Sequence, residues 1–201
     1  MQDKDDFSLI EVYAQQPTKI LKILRTPSME IKEKLPDESV DEIIDKMKKA
    51  IYTHPVVKKT NKISGLAASQ IGILKKIVIL SKNFEAASLR LLINPRYEPI
   101  GEEEKVADWE MSLSLPLETA KIWRYPSVKV HSSDREGHSQ EELLTGLNAR
   151  IAQHYIDTLQ GIHYSDLALC DEDKITFKTK EEADEFRSNL RKKQVESKSS
   201  T

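Results

Sequence analysis

The sequence predicts one domain that mixes helices with strands, and three observations carry that expectation. Val40, Ile43, Ile44, Met47 and Ile51 share one face of a 3.6-residue period, which predicts an amphipathic helix over residues 39–54. Lys76-Ile-Val-Ile-Leu80 and Leu89–Ile93 are apolar runs too short for helices and read as buried strands. Val128-Lys-Val-His131 alternates as a half-buried strand does. At 201 residues the chain amounts to about one domain and is long enough to bury a sizeable core.

The elements follow in order. Residues 1–17 have little periodicity and read as an N-terminal extension, and Thr18–Pro27 is a short apolar segment stopped by proline. Ser39 is the expected N-cap of the first helix, with Asp41 and Glu42 placed where the helix dipole favours acids. The Leu89–Ile93 strand is expected to close at Asn94-Pro95, and residues 101–108, acidic and glycine-led, to form an exposed loop. An apolar–polar alternation runs from Met111 to Leu115, and Asp134–Gly137 reads as a turn. Residues 139–162 admit two readings. Ser139 and Glu142 have capping-box spacing, or Thr145-Gly146 separates a strand at Glu141–Leu144 from a helix beginning near Leu147. The second is preferred, with Gly161 as the residue after the helix C-cap. A last helix over about 180–194 is acidic early and basic late, as its dipole favours, and a serine-rich tail from Glu196 is expected to fray.

Composition narrows the function classes. The 31 basic and 33 acidic residues give a net charge of −2 and a pI near 6.2, which argues against binding nucleic acid through bulk positive charge. Cys170 is the one cysteine, so an intramolecular disulfide framework and an all-cysteine metal cage are excluded. No apolar run approaches 18 residues, and the acidic Met1–Asp6 start has no signal-peptide core, so a cytoplasmic protein is expected.

Three stretches carry chemical information: Gly65-Leu-Ala-Ala-Ser-Gln70, Glu110-Met-Ser-Leu-Ser114 and Gln153-His-Tyr-Ile-Asp-Thr158. In this order and at compatible spacing they resemble the G-x-G-L-A-A-x-Q, E-G-C-L-S and Q-H-E-x-D-H motifs of peptide deformylases. That family removes the formyl group from the N-terminal methionine of nascent chains. Ile93-Asn94-Pro95, Ile122-Trp-Arg124 and Asn148-Ala149-Arg150 are also similar to family residues, and the resemblance covers roughly Ile20 to Asp166. It implies an α+β fold: small antiparallel sheets around a central helix bearing His154, plus a C-terminal helix. It places a deformylase-like domain at 18–179, with the C-terminal helix and tail at 180–201.

The resemblance further implies a divalent metal such as iron or zinc on one cysteine and two histidines, with water in the fourth position and a glutamate as its acid and base. Such a metal lowers the pKa of bound water toward 7 and polarises a carbonyl. This chain departs from the pattern there. Ser112 stands at the cysteine position, His154 keeps the first histidine, Thr158 replaces the second and Tyr155 replaces the glutamate. Gln70 and Leu113 keep the positions that hold the reacting carbonyl, and Gly65 and Arg124 are the expected substrate-binding positions. A thiolate and an imidazole together are worth roughly 6 kcal/mol of metal binding, about four orders of magnitude in affinity. A phenol is a poor base at neutral pH. The expectation is therefore a protein with no bound metal and no deformylase activity. It would bind formylated or free methionyl N-termini, or the translation machinery, and no membrane. The alternative is an atypical hydrolase, either with residual metal or with Ser112 and His154 as a nucleophile and base. On the central helix, Asp157 is expected to pair with Arg150.

Overall fold

A computed structural model describes residues 22–82, 84–102 and 104–199. The expected extension at 1–17 and the start of the Thr18–Pro27 segment lie outside these residues. In chain order the elements are α1 (Glu38–Thr53), α2 (Pro55–Thr60), β1 (Gly65–Ala67), β2 (Ile77–Ser81), β3 (Leu89–Pro99), β4 (Val106–Ser112) and β5 (Leu115–Arg124), then β6 (Ser127–Ser133), β7 (Ser139–Thr145), α3 (Gly146–Leu159), β8 (Lys174–Thr176) and α4 (Lys180–Ser199). Five strands form one antiparallel sheet in the order β1-β2-β3-β6-β7, and three form another in the order β4-β5-β8.

Strand β2 explains how the layers assemble. Every residue of Ile77–Ser81 is buried, because both faces of the sheet are covered. Ile77 and Ile79 pack with Val40, Ile44, Met47 and Ile51 of α1. Val78 and Leu80 point the other way and pack with Ala149, Ala152, Ile156 and Leu159 of α3. The period-2 geometry of a strand thus sends alternate side chains to two different helices. A third cluster joins Leu115, Ala120 and Ile122 of β5 to Tyr164, beyond α3. The architecture is the expected α+β arrangement, with α3 at its centre.

Several expected boundaries change. The N-cap of α1 is Asp37 rather than Ser39, and its carboxylate accepts from the Ser39 N–H at 3.0 Å. Strand β3 does not close at Asn94-Pro95 but continues to Pro99 through a bulge between Ile93 and Arg96. Asn94 has φ +50°, and its side-chain amide bonds both the N–H and the C=O of Ile31 at 2.9 Å. That pair of bonds holds a conformation which short polar side chains tolerate. The expected 101–108 loop ends early, since β4 begins at Val106 and pairs with Arg124. At 139–162 the strand-then-helix reading holds: β7 runs to Thr145 and α3 starts at Gly146. Helix α4 runs on to Ser199, past the start of the expected fraying tail. Its first turns are docked, with Ala183 buried and Phe186 packed edge-on against Trp109 of β4 at 5.4 Å.

Candidate active site

Positions 154 and 158 lie four apart on α3 and so face the same side of the helix. Ser112 ends β4, where the chain turns into β5. These three positions, brought from two elements, line one small cleft with about 20 Å³ of space for water-sized groups. Gln70 and Ser114 add polar wall, and Leu24 and Leu115 add apolar wall. The cleft also contains His163 and Tyr164, which sequence reasoning left without a role. They reach it because Gly161, at φ +74°, turns the chain back after α3. A Cβ there would stand 2.4 Å from the Arg25 carbonyl oxygen, so the turn needs glycine.

The polar groups of the cleft are tied to one another. Gln70 Oε1 accepts from the Ala67 N–H at 2.9 Å, and its Nε2 donates to Ser114 Oγ at 3.0 Å and Ser112 Oγ at 3.4 Å. Ser112 Oγ also accepts from the Ser114 N–H at 3.1 Å. The Thr158 hydroxyl donates back to the His154 carbonyl at 2.8 Å. His154 Nδ1 is 2.9 Å from Glu110 Oε2, and the ring of Tyr164 stacks on the imidazole at 5.6 Å.

Glu110 is the hub of a buried ionic network, a role that its place in the 110–114 motif did not reveal. Its carboxylate takes a two-pronged bond from Arg124 at 3.0 and 3.1 Å and a third from Arg150 at 2.9 Å. Arg124 also bonds Asp157, which accepts from the Tyr97 hydroxyl at 3.1 Å. Asp157 therefore pairs with Arg124, not with Arg150 as expected. Arg124, expected at the substrate, is instead 4% exposed and committed to these two carboxylates. The signal for Glu110 was present in its alternation with Ser112 along β4, but its partners come from α3 and β5 and are visible only after folding.

The other expected positions divide. Leu113 sits half-buried in the β4–β5 turn and is not among the residues lining the cleft. Tyr155 points away from the cleft into the core, with its hydroxyl 2.9 Å from Ser64 Oγ. Burial pushes its pKa up to about 12 despite that bond, so it is no base at neutral pH. Gly65 faces it across β1. A Cβ at Gly65 would stand 2.7 Å from the Ile79 carbonyl oxygen and 2.8 Å from Tyr155 Cε2, so this glycine is required for packing. Gly65→Ala is expected to cost about 1–3 kcal/mol, read as a lower urea midpoint.

Two buried groups contribute to the response to acid. Burial, then the charge of Arg25, holds His163 down at about 4, so the folded protein refuses a proton that the unfolded chain takes below pH 6.5. Stability accordingly declines from pH 6.5 to about 4. Burial alone would raise the Glu110 carboxyl, but the bond and charge of His154 and then of Arg124 outweigh it and hold the group at about 2. Its contribution is present above its usual 4.5 and is lost as pH falls from there to about 2. In urea melts across pH, His163→Gln is expected to flatten the first decline and leave the second.

The donors at 112, 154 and 158 are one imidazole and two neutral hydroxyls. His163 adds a second imidazole to the cleft, but no group of three His, Cys, Asp or Glu side chains fit for a metal ion occurs among the described residues. Catalytic zinc and iron sites are built from three imidazole, thiolate or carboxylate ligands with an open position. The residues present do not fit that group.

The model for polypeptide deformylase matches residues 12–173, most of the chain. The chain belongs to the polypeptide deformylase family. Among curated relatives, the peptide deformylase of Symbiobacterium thermophilum is 34% identical over 152 residues, covering 73% of this chain and 66% of that protein. The peptide deformylase of Zymomonas mobilis is 31% identical over 158 residues, covering 73% of this chain and 85% of its own length. Among solved structures, a plant peptide deformylase matches with a TM-score of 0.67 and 26% identity over 100% of this chain and 97% of that one. The Synechococcus elongatus peptide deformylase in complex with actinonin matches with a TM-score of 0.66 and 25% identity over 82% and 81%. This chain thus shares the scaffold of the deformylase structures. Among the described residues, no helix is long and apolar enough to cross a membrane.

Proposed function

We propose that this chain is a deformylase-family protein that has given up metal-dependent deformylation and uses the cleft to hold a methionyl peptide N-terminus, formylated or free. One observation carries the reading. The three positions that correspond to the family's metal ligands converge on one cleft, and they bring Ser112, His154 and Thr158 there. Two hydroxyls in place of a thiolate and an imidazole leave a divalent metal short of roughly 6 kcal/mol of binding. With Tyr155 turned into the core and its phenol held protonated, the position that corresponds to the family's acid and base offers none to the cleft. Gln70 and Ser114 give the cleft a polar wall and Leu24 and Leu115 an apolar one, the two kinds of contact that a peptide terminus uses. The reading places the protein in the cytoplasm, where its partners are nascent chains emerging from the ribosome.

The test is turnover of a formyl-Met peptide by the purified protein, with iron, nickel or zinc added in turn, beside an active deformylase. No turnover above background, together with measurable binding of a Met peptide by calorimetry, is the expected result. Metal-dependent turnover overturns the reading.

A further inference from the structure

We propose that the lysine-rich face formed by the end of α1, α2 and residues 61–62 binds single-stranded RNA, with its lysines on the phosphates and Tyr52 stacked on an unpaired base. The inference goes beyond peptide binding and stands without it, since this face shares no residue with the cleft. It starts from the distribution of charge. Residues 46–62 hold six lysines (Lys46, Lys48, Lys49, Lys58, Lys59 and Lys62) and no acid. The whole chain has 31 basic and 33 acidic residues, so the rest of it is markedly acidic and the net charge of −2 conceals a local excess of positive charge.

Folding gathers these lysines around one aromatic ring. Lys48 and Lys49 stand four and three residues before Tyr52 on α1, so both share its face of the helix. The Tyr52 hydroxyl donates to the Ala86 carbonyl oxygen at 3.0 Å, and the Ala86 N–H donates to the Asn61 carbonyl oxygen at 3.0 Å. Lys62 bridges to Glu85 next to them and so reaches the ring from a separate segment. Lys58 and Lys59 are exposed in the last turn of α2, which is fixed against α1 because Val57 joins the same core cluster as Met47 and Ile51. Ion pairs hold Lys75, Lys76, Lys129 and Lys174 elsewhere on the surface, but none is formed among the described residues by Lys48, Lys49, Lys58, Lys59 or Lys62. The acids nearest this face are Asp45, one turn before Lys49, and Glu85 beside Lys62. Asp41 and Glu42 are matched by Arg135 and Lys46.

The ring and the lysines ask for one kind of ligand. Tyr52 is 51% exposed although its far end is pinned, so it offers water a fixed π-face on which any base can stack. Lysines around such a ring meet phosphates. The screening length is about 10 Å at 0.1 M salt, so a bound strand responds to these lysines rather than to the charge of the whole chain. A lipid surface needs apolar side chains to insert. Those of α1 (Val40, Ile44, Met47 and Ile51) are packed in the core, which leaves Tyr52 and Val56 outside. A duplex hides the faces of its bases, and unpaired RNA presents them.

The test is fluorescence anisotropy of a short labelled single-stranded RNA with the full chain, over a range of salt. Saturable binding is expected, with log affinity falling against log salt at a slope of about −3.5 for five lysine–phosphate contacts. Changing Lys49, Lys59 and Lys62 together to Gln is expected to bring that slope about 2 nearer to zero. The same change at Lys121, Lys174 and Lys178, which lie on or beside the three-stranded sheet, is expected to leave it as it was. Tyr52→Leu is expected to weaken binding about tenfold at fixed salt with the slope unchanged, and Tyr52→Phe to retain it. All of these positions are exposed, and urea midpoints confirm that each variant folds. Four results overturn the proposal: no binding at low salt, binding of the duplex or of single-stranded DNA more tightly than the RNA, binding of phosphatidylserine vesicles in place of RNA, or an equal loss in the two triple variants. None of these outcomes depends on whether a formyl-Met peptide binds or turns over.

Discussion

The double variant Ser112→Cys, Thr158→His is expected to bind zinc about four orders of magnitude more tightly than the wild-type protein. Both positions line the cleft with His154, and positions 154 and 158 lie four apart on α3, so the added imidazole projects beside the existing one. Each restored ligand contributes on the order of 3 kcal/mol, and 1.4 kcal/mol is a tenfold change. The support for such a site is already built. Glu110 bonds His154 Nδ1 at 2.9 Å, the outer contact that orients a ligating imidazole and leaves Nε2 to face a metal. Thr158 loses only a bond to the carbonyl four residues back on its own helix. Competition against a chromophoric chelator measures the gain. Equal affinity of wild type and variant would mean that the wild-type cleft already recruits ligands other than Ser112 and Thr158.

Adding Tyr155→Glu to this pair is expected to be necessary for formyl-Met turnover and costly to the fold. Tyr155 is buried against Gly65 and hydrogen-bonded to Ser64. A glutamate there empties the ring's volume from the core and buries a carboxyl group. Activity in the triple variant would show that the pocket is intact and that the chemistry alone was lost.

Arg124→Met is expected to destabilise the protein by about 3–5 kcal/mol, because it leaves two buried carboxylates short of their cation. Arg124 and Glu110 are 4% and 6% exposed, so water does little to replace the lost bonds. Arg25→Met is the control. It removes an ion pair to Asp166 whose partners are 44% and 40% exposed, and it is expected to cost no more than about 1 kcal/mol. Urea midpoints at pH 7 with unchanged m-values measure both. A cost for Arg124→Met no larger than the control's would mean that the network contributes geometry rather than stability. Arg150 would then be sufficient to hold Glu110 and, through it, His154.

Periodicity along the chain was enough to locate α1, β2, β6 and the strand-then-helix order of β7 and α3, because amphipathic spacing is a local property. The motifs at 65–70, 110–114 and 153–158 were enough to place the chain in its family, and Ser112, His154 and Thr158, singled out from them, line one cleft. The continuation of β3 past Asn94 was not legible, since its bulge depends on two hydrogen bonds to Ile31, more than sixty residues away. The pairing of Asp157 was misassigned for a similar reason. Spacing on α3 favours Arg150, but the guanidinium that reaches Asp157 arrives from β5.

By itself, then, the sequence determined the family and the mixture of helix and strand. Only the tertiary structure decided that Tyr155 faces the core, that His163 and Tyr164 return to the cleft, and that Glu110 joins His154 to two arginines. Residue identity sets which chemistry is possible. Which groups meet depends on contacts between distant segments, and these form only when the two sheets close around α3.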